Sequence, residues 1–283
     1  MKKKSSTIAL LLILLAGLSL LLYPSLSNYW NSFTQSRAIA GYAEKVAEID
    51  NEEYERILQD AKAYNQRFVG SRSLWVLNDK EMEEYNEHLD VFGNGVMGYI
   101  DIPSINCTLP IYHGTSDSVL QVAVGHLDGS SLPVGGTGTH CVLSGHRGLP
   151  SAKLFTDLDQ LREGDMFMLC ILDEVFTYEV DKIRIVTPDD VSELTVEPDM
   201  DLCTLVTCTP YGVNSHRLLV RGQRTDNIKV SNARVTSDAV QIEPMIVAPC
   251  VAAPLLLFML LYIIIKDIVI RVKDRKLKKR INN

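Results

Sequence analysis

A cysteine stands at the end of an apolar, β-branched run, and an arginine follows it after a turn. Residues 204–207 predict a buried strand that ends at Cys208. Pro210 and Gly212 mark a turn, and the apolar residues after Arg217 predict a returning strand. A hairpin of this kind brings Arg217 across from Cys208. A permanent positive charge there favours a thiolate and can bind a developing oxyanion, so the pair predicts nucleophilic thiol chemistry.

A histidine in a glycine-flanked loop offers the base that such a thiol needs. An apolar strand is predicted at residues 140–143, and the loop Ser-Gly-His-Arg-Gly around His146 follows it. A cysteine nucleophile usually pairs with a histidine that is distant in sequence and near in space. Cys208, His146 and Arg217 are therefore the candidate catalytic residues of a thiol acyl-transfer site.

Other histidines and arginines compete for the same roles. His113, His126 and His140 are interpreted as structural hydrogen-bonding groups, and a position of His126 near the site stays open as an alternative. His216 precedes Arg217, and strand alternation points it to the opposite face. The rival anion binders are Arg147, which is expected to face solvent, and Arg221.

The residues of this site, in this order, resemble the signature of the sortases. A longer set of motifs resembles the class C, pilus-building branch, and the resemblance covers roughly residues 30–225. The motifs occupy residues 93–98, 109–115, 125–127, 130–136 and 148–155. Several spaced motifs in one order are far more specific than a single Cys/His pair.

The resemblance implies a membrane-anchored cysteine transpeptidase that needs no cofactor. Cys208 would attack the Thr–Gly bond of a sorting signal similar to Leu-Pro-any-Thr-Gly, and His146 would transfer protons to and from the amines. Val206 and Thr207 are expected to help shape the groove for the signal. Class C also implies an acceptor lysine on a pilin subunit and a lid over the site. This sequence has Ser73 and Leu74 where the lid motif would carry Asp and Pro, and Trp75 is the candidate lid aromatic.

The predicted fold is mainly β, an eight-stranded sortase-type barrel with an N-terminal helical arm and two flanking transmembrane helices. Short β-rich runs with Gly/Pro turns after residue 96 favour a closed antiparallel barrel. Helical spacing over residues 32–68, with a break at Asp50, and over residues 79–89 predicts the arm. The strands are predicted at residues 96–102, 106–111, 119–124, 140–143, 166–171, 175–186, 203–208 and 217–221, with short helical connections at 151–161 and 191–194.

Two apolar segments are predicted to span a membrane and to leave both termini in the cytoplasm. Each is near the roughly 20 residues that a bilayer requires; three Lys precede the first segment, and a tail rich in Lys and Arg follows the second. For the first segment, a cleaved signal peptide is the alternative. The predicted order is a basic tail (1–6), a span (7–26), an extracellular arm and possible lid (27–92), the catalytic barrel (93–225), a tether (226–244), a second span (245–265) and a basic tail (266–283).

Composition narrows the classes of partner. The net charge is −7, although both termini are basic, so the middle of the chain is acidic and nucleic acid is not an expected partner. No C-x-x-C motif or EF-hand loop is present, so no metal site is predicted. Of the six cysteines, Cys250 lies in the second span. Cys107, Cys141, Cys170 and Cys203 are predicted to be buried free thiols, and a disulfide Cys141–Cys203 or Cys107–Cys170 stays open as an alternative.

The expected partners are pilins or surface proteins that carry the sorting signal, together with membrane lipid. Two other functions remain open. A housekeeping sortase would join surface proteins to peptidoglycan, and a catalytically idle adhesin or scaffold would use the same fold without chemistry.

Overall fold

A computed structural model describes residues 2–69, 76–226 and 244–281 of the chain. Its contacts divide into two units, one formed by the two ends of the chain (Met1–Tyr29 and Val235–Asn283) and one formed by Trp30–Arg234. The lid candidate Trp75 and most of the predicted tether lie outside the described residues.

The second unit contains a closed barrel of eight strands, as the sequence predicts. The strands are β1 Val96–Ile102, β2 Cys107–His113, β3 Val124–His126, β4 Thr139–Ser144, β5 Met166–Ile171, β6 Glu174–Val186, β7 Asp201–Thr209 and β8 His216–Arg224. Around the barrel they run in the order β1-β2-β3-β4-β7-β8-β6-β5. The expectation of a fully antiparallel barrel is wrong, because β2 pairs with β3 and β4 pairs with β7 in parallel.

One predicted strand is largely wrong. Residues 119–124 were expected to be extended, but Asp117–Leu120 forms a short helix, α4, and β3 begins only at Val124. The connections predicted to be helical are shorter than expected. They contain short 3-10 helices at Leu158–Gln160 and Ser192–Leu194.

The helical arm forms with the predicted break. Helix α1 covers Lys2–Glu48, α2 covers Asn51–Asn65 and α3 covers Asp79–Glu87. Asp50 caps α2 by accepting a hydrogen bond from the Glu53 backbone N–H. Asn78 and Glu81 form a capping box at the start of α3.

Three buried polar side chains fasten the arm to the barrel. The Tyr42 hydroxyl donates to the Met97 carbonyl and accepts from the Leu172 N–H, at 2.9 and 2.7 Å. Asn65 exchanges two hydrogen bonds with the backbone of Leu132. Each of these side chains satisfies barrel backbone groups that would otherwise be buried without partners, so arm and barrel form one packed body.

The third fastening residue is Tyr85 of α3, which is fully buried. Its hydroxyl lies 2.9 Å from Nδ1 of His126 and accepts from the Gly114 N–H at 3.0 Å. The other ring nitrogen of His126 lies 2.8 Å from the Ser131 carbonyl, to which it donates. His126 is thus a structural residue of the interior, with Nδ1 accepting from Tyr85.

One helix among the residues whose side chains are described, Leu12–Glu48 within α1, is long and apolar enough to cross a membrane. Residues 244–281 form a further helix, α5 (Pro244–Ile281), which contains the predicted second span. A second membrane crossing remains a prediction.

The substitution Tyr85→Phe tests the fastening of the arm. It leaves the Gly114 N–H and the His126 ring nitrogen without their shared partner, so we expect the free energy of unfolding to fall by about 1–3 kcal/mol. Chemical denaturation of the purified protein measures this change. The control is Tyr112→Phe, since the half-buried Tyr112 hydroxyl makes no hydrogen bond among the described residues. Equal stability of the two variants would contradict the assignment.

Candidate active site

The cysteine and the arginine lie opposite each other on neighbouring strands. Cys208 of β7 pairs with Arg217 of β8 in the antiparallel register. Directly opposed residues of an antiparallel pair project to the same face, so both side chains share one face of the barrel. Both are half-buried. The Arg217 guanidinium donates to the carbonyls of Asn214 and His216, at 3.3 and 3.2 Å, which ties it to the turn.

The histidine loop is joined to the same strand by the parallel pairing of β4 and β7. Ser144, the last residue of β4, is in register with Val206. One residue further, the Gly145 N–H donates to the Val206 carbonyl at 3.0 Å. If this register continued for one more residue, His146 would lie beside Cys208, and we expect that position for it. The His146 carbonyl accepts from the Phe155 N–H at 3.1 Å, which holds the loop from its other side.

Thr207 does not lie where a substrate-binding residue would. Its side chain is 1% exposed, on the face of β7 opposite to Val206 and Cys208. Its hydroxyl donates to the Gly145 carbonyl at 2.8 Å. Thr207 therefore holds the backbone just before His146. The inward orientation of Thr207 could have been predicted from the sequence. Side chains alternate between the two faces of a strand, and Thr207 directly precedes Cys208, which faces outward.

An apolar groove of about 330 Å³ borders the site. Val206 and Leu219 of the β7–β8 pair line it, and Arg217 is at its edge. The loop between β6 and β7 contributes Val191 and Leu194. The remaining lining residues are Thr115, Leu120, Leu127, Val142, Ser144, Val186, Pro188 and Asp190. A groove of this composition suits an extended apolar segment rather than a charged ligand.

The rival histidines have other roles. The His113 ring nitrogens lie near the carbonyls of Gly95 and His88, and His140 lies between the Thr195 carbonyl and the Thr204 hydroxyl. Burial lowers the pKa of both His113 and His140, which favours the neutral form. His216 is exposed and contacts Ser215. These positions fit the structural interpretation of the sequence.

The rival arginines are committed elsewhere. Arg221 pairs with Asp181 and Glu197. Arg147 was expected to face solvent, and this is wrong, because its side chain is 9% exposed and forms an ion pair with Asp159. The sequence alone does not predict this ion pair, because Asp159 lies thirteen residues after His146 and no motif links the two positions.

The other described cysteines do not form disulfides. Cys107, Cys141, Cys170, Cys203 and Cys208 are all free. Burial raises the pKa of the Cys107 thiol to about 12 and that of Cys203 well above its usual range, so both stay protonated. Cys170 was expected to be buried but is partly exposed. Among the described residues, no cluster of His, Cys, Asp and Glu could hold a metal ion.

Residues 100–225 match the family model described as the sortase domain. The structure is also similar to the crystal structure of sortase C1 from Streptococcus agalactiae, with a TM-score of 0.67 and 53% sequence identity over 68% of this chain and 100% of that chain.

The chain belongs to the sortase family.

Sortases are cysteine transpeptidases, and relatives from several branches resemble this member. Sortase C from Clostridium perfringens, solved with the C-terminal cell wall sorting motif, has a TM-score of 0.59 and 45% identity over 68% of this chain and 99% of that chain. Sortase D from Bacillus subtilis is 35% identical over 130 residues, which are 45% of this chain and 63% of that protein. The chain thus spans less than two thirds of this curated relative's length.

Replacing Thr207 tests how the histidine loop is held in this sortase. Thr207→Val keeps the shape and removes the donor to the buried Gly145 carbonyl, so we expect a loss of about 1–3 kcal/mol in the free energy of unfolding. Thr207→Ser retains the hydroxyl and should recover most of it. The comparison is made by chemical denaturation. Valine and serine variants of equal stability would show that the hydrogen bond does not hold the loop.

Proposed function

We propose that this protein is a membrane-anchored class C sortase that cleaves a sorting signal similar to Leu-Pro-any-Thr-Gly and transfers the acyl group to a lysine of a pilin subunit. The observation that carries the proposal is the shared register of β4, β7 and β8. It supports the proposal by bringing the Cys208–Arg217 pair and the end of β4, from which the His146 loop starts, to one edge of the barrel, where Arg217 and Val206 also line the apolar groove. The likeness to two sortase C structures supports the class.

The proposed first step forms a thioester. The Cys208 sulfur attacks the carbonyl carbon of the signal's Thr, the C–N bond to Gly breaks, and His146 protonates the departing amine. In the second step the lysine amine attacks the thioester, His146 takes its proton, and the Cys208 thiolate leaves. The product is an isopeptide bond.

Arg217 has the geometry for the charge that develops in both steps. It projects from the strand opposite Cys208, and its ties to two turn carbonyls fix the direction of the guanidinium. Among the described residues it forms no ion pair with a carboxylate, so no neighbouring carboxylate neutralises its charge. It would bind the oxyanion or the substrate backbone.

The apolar groove is the proposed binding site for the sorting signal. Leu and Pro of the signal are apolar and extended, and Val206 and Leu219 offer them an apolar floor next to Arg217. We assign Val206 to substrate binding. We withdraw that assignment for Thr207, because its hydroxyl faces the interior and positions the histidine loop.

The anchoring is part of the same proposal. Helix α1 supplies one apolar segment and α5 the second, and the basic residues at both termini favour a cytoplasmic position for each end. The barrel then lies outside the cell, where its substrates are assembled. The lid assigned to Trp75 remains a prediction.

The decisive experiment incubates the extracellular part with a fluorogenic sorting peptide and a purified pilin that carries acceptor lysines. We expect cleavage and a pilin conjugate, both abolished in Cys208→Ala. Mass spectrometry of the joined product identifies the acceptor. A conjugate with a peptidoglycan precursor instead of pilin would favour a housekeeping sortase, and no cleavage at all would favour an adhesin or scaffold.

The substitution Arg217→Lys tests the oxyanion role. Lysine keeps the charge but loses the planar fork of donors, so we expect kcat/KM for the peptide to fall at least about tenfold. Arg184→Lys is the matched control, since Arg184 is exposed on β6 beside the same strand β8. Similar losses in both variants, or none in Arg217→Lys, would contradict the role.

The substitution Val206→Phe tests the groove. The larger side chain occupies space that the signal needs, so we expect KM to rise about tenfold with little change in kcat. Ile185→Phe is the control, because Ile185 is exposed on β6 and does not line the groove. An unchanged KM in Val206→Phe would place the signal elsewhere.

A further inference from the structure

The turn after Cys208 contacts the loop after His146 through one aromatic ring. Tyr211 packs so closely on Gly148 that a Cβ added to Gly148 would lie 2.9 Å from Tyr211 Cε2. The Arg147 guanidinium lies over the same ring, with its central carbon 5.8 Å from the ring centroid. We call Tyr211, Arg147 and Gly148 the Tyr211 stack.

The stack is fixed on its far side. Arg147 pairs with Asp159, which belongs to the 3-10 helix Leu158–Gln160. Leu158 of that helix is fully buried in the core. A guanidinium held in this way can keep the ring in place from above, and cation–π attraction strengthens when the cation is withdrawn from water.

Gly148 has the backbone conformation and the free space that the contact with the Tyr211 ring requires. Its φ of +74° is a conformation that glycine adopts without strain, and the missing side chain leaves the space that Tyr211 fills. The close contact therefore depends on glycine at this position of the loop.

The stack joins the two segments that carry the proposed nucleophile and base. Tyr211 follows Cys208 by three residues, and Arg147 and Gly148 directly follow His146. On the strand side, the two segments are already joined by the hydrogen bonds that Gly145 makes with Val206 and Thr207. The stack closes the loop side, so the separation of thiol and imidazole is set from two directions.

We infer that Tyr211 is a positioning residue for the acyl-transfer reaction and acts by holding the His146 loop against the Cys208 turn. This inference rests on the proposed function and names a residue that the chemistry itself does not require. Tyr211 is 57% exposed, so it contributes little to the core. Its removal should change the geometry of the site more than the stability of the fold.

The first measurement compares peptide cleavage by Tyr211→Ala, Tyr211→Phe and Val213→Ala. We expect kcat to fall at least about tenfold in the alanine variant, with KM within about twofold, because a displacement near 1 Å can cost up to about a hundredfold. The phenylalanine variant keeps the packing and should retain the parent rate. Val213→Ala, in the same turn and 70% exposed, should also retain it.

The second measurement is a double-mutant cycle that needs no peptide. The rate at which iodoacetamide alkylates Cys208 is measured by mass spectrometry in the parent, Tyr211→Ala, His146→Ala and the double variant. If Tyr211 acts through His146, its effect on the rate disappears in the His146→Ala background.

The two measurements test the proposed function and the role of Tyr211 separately. A parent that cleaves no sorting peptide refutes the proposed function, and the alkylation cycle still decides the role of Tyr211. Equal rates for Tyr211→Ala and the parent, effects that add in the double variant, or a loss that phenylalanine does not restore would each overturn the positioning role.

Discussion

The parallel pairing of β4 with β7 is the constraint on which the site depends. Hairpins join neighbours in sequence, and the β7–β8 hairpin brings Arg217 to Cys208 by itself. The histidine lies about sixty residues away in the chain, and the β4–β7 register brings the start of its loop to the same edge. A shift of that register by one residue would turn Val206 and Cys208 to the opposite face relative to β4, and the site would be lost.

Strand bounds and helix breaks were predictable from the sequence, because they depend on residues that are neighbours in the chain. The bounds of β1 and β5 were predicted as observed, because apolar alternation ends there at clear turn residues. The break before α2 followed from Asp50 and the acidic residues after it. The three site residues were predicted from residue type, spacing and family resemblance together, and their roles remain predictions.

One error arises from a local helical turn, and the others arise where a long-range contact decides the structure. The apolar run at residues 119–124 fits a strand pattern, but its first residues close a helical turn, with the Leu120 N–H donating to the Ser116 carbonyl. The parallel pairs cannot be read from alternation, which is the same for either strand direction. Arg147 is withdrawn from water by Asp159 and Tyr211, neither of which is its neighbour in the chain.

The most direct test of the central claim is to trap the covalent intermediate. The purified protein is mixed with a sorting peptide without an acceptor amine, quenched in acid and digested, and the modified residue is identified by mass spectrometry. The account predicts a thioester on Cys208 that carries the peptide up to its Thr. A thioester on another cysteine, or none while the peptide is cleaved, would contradict it.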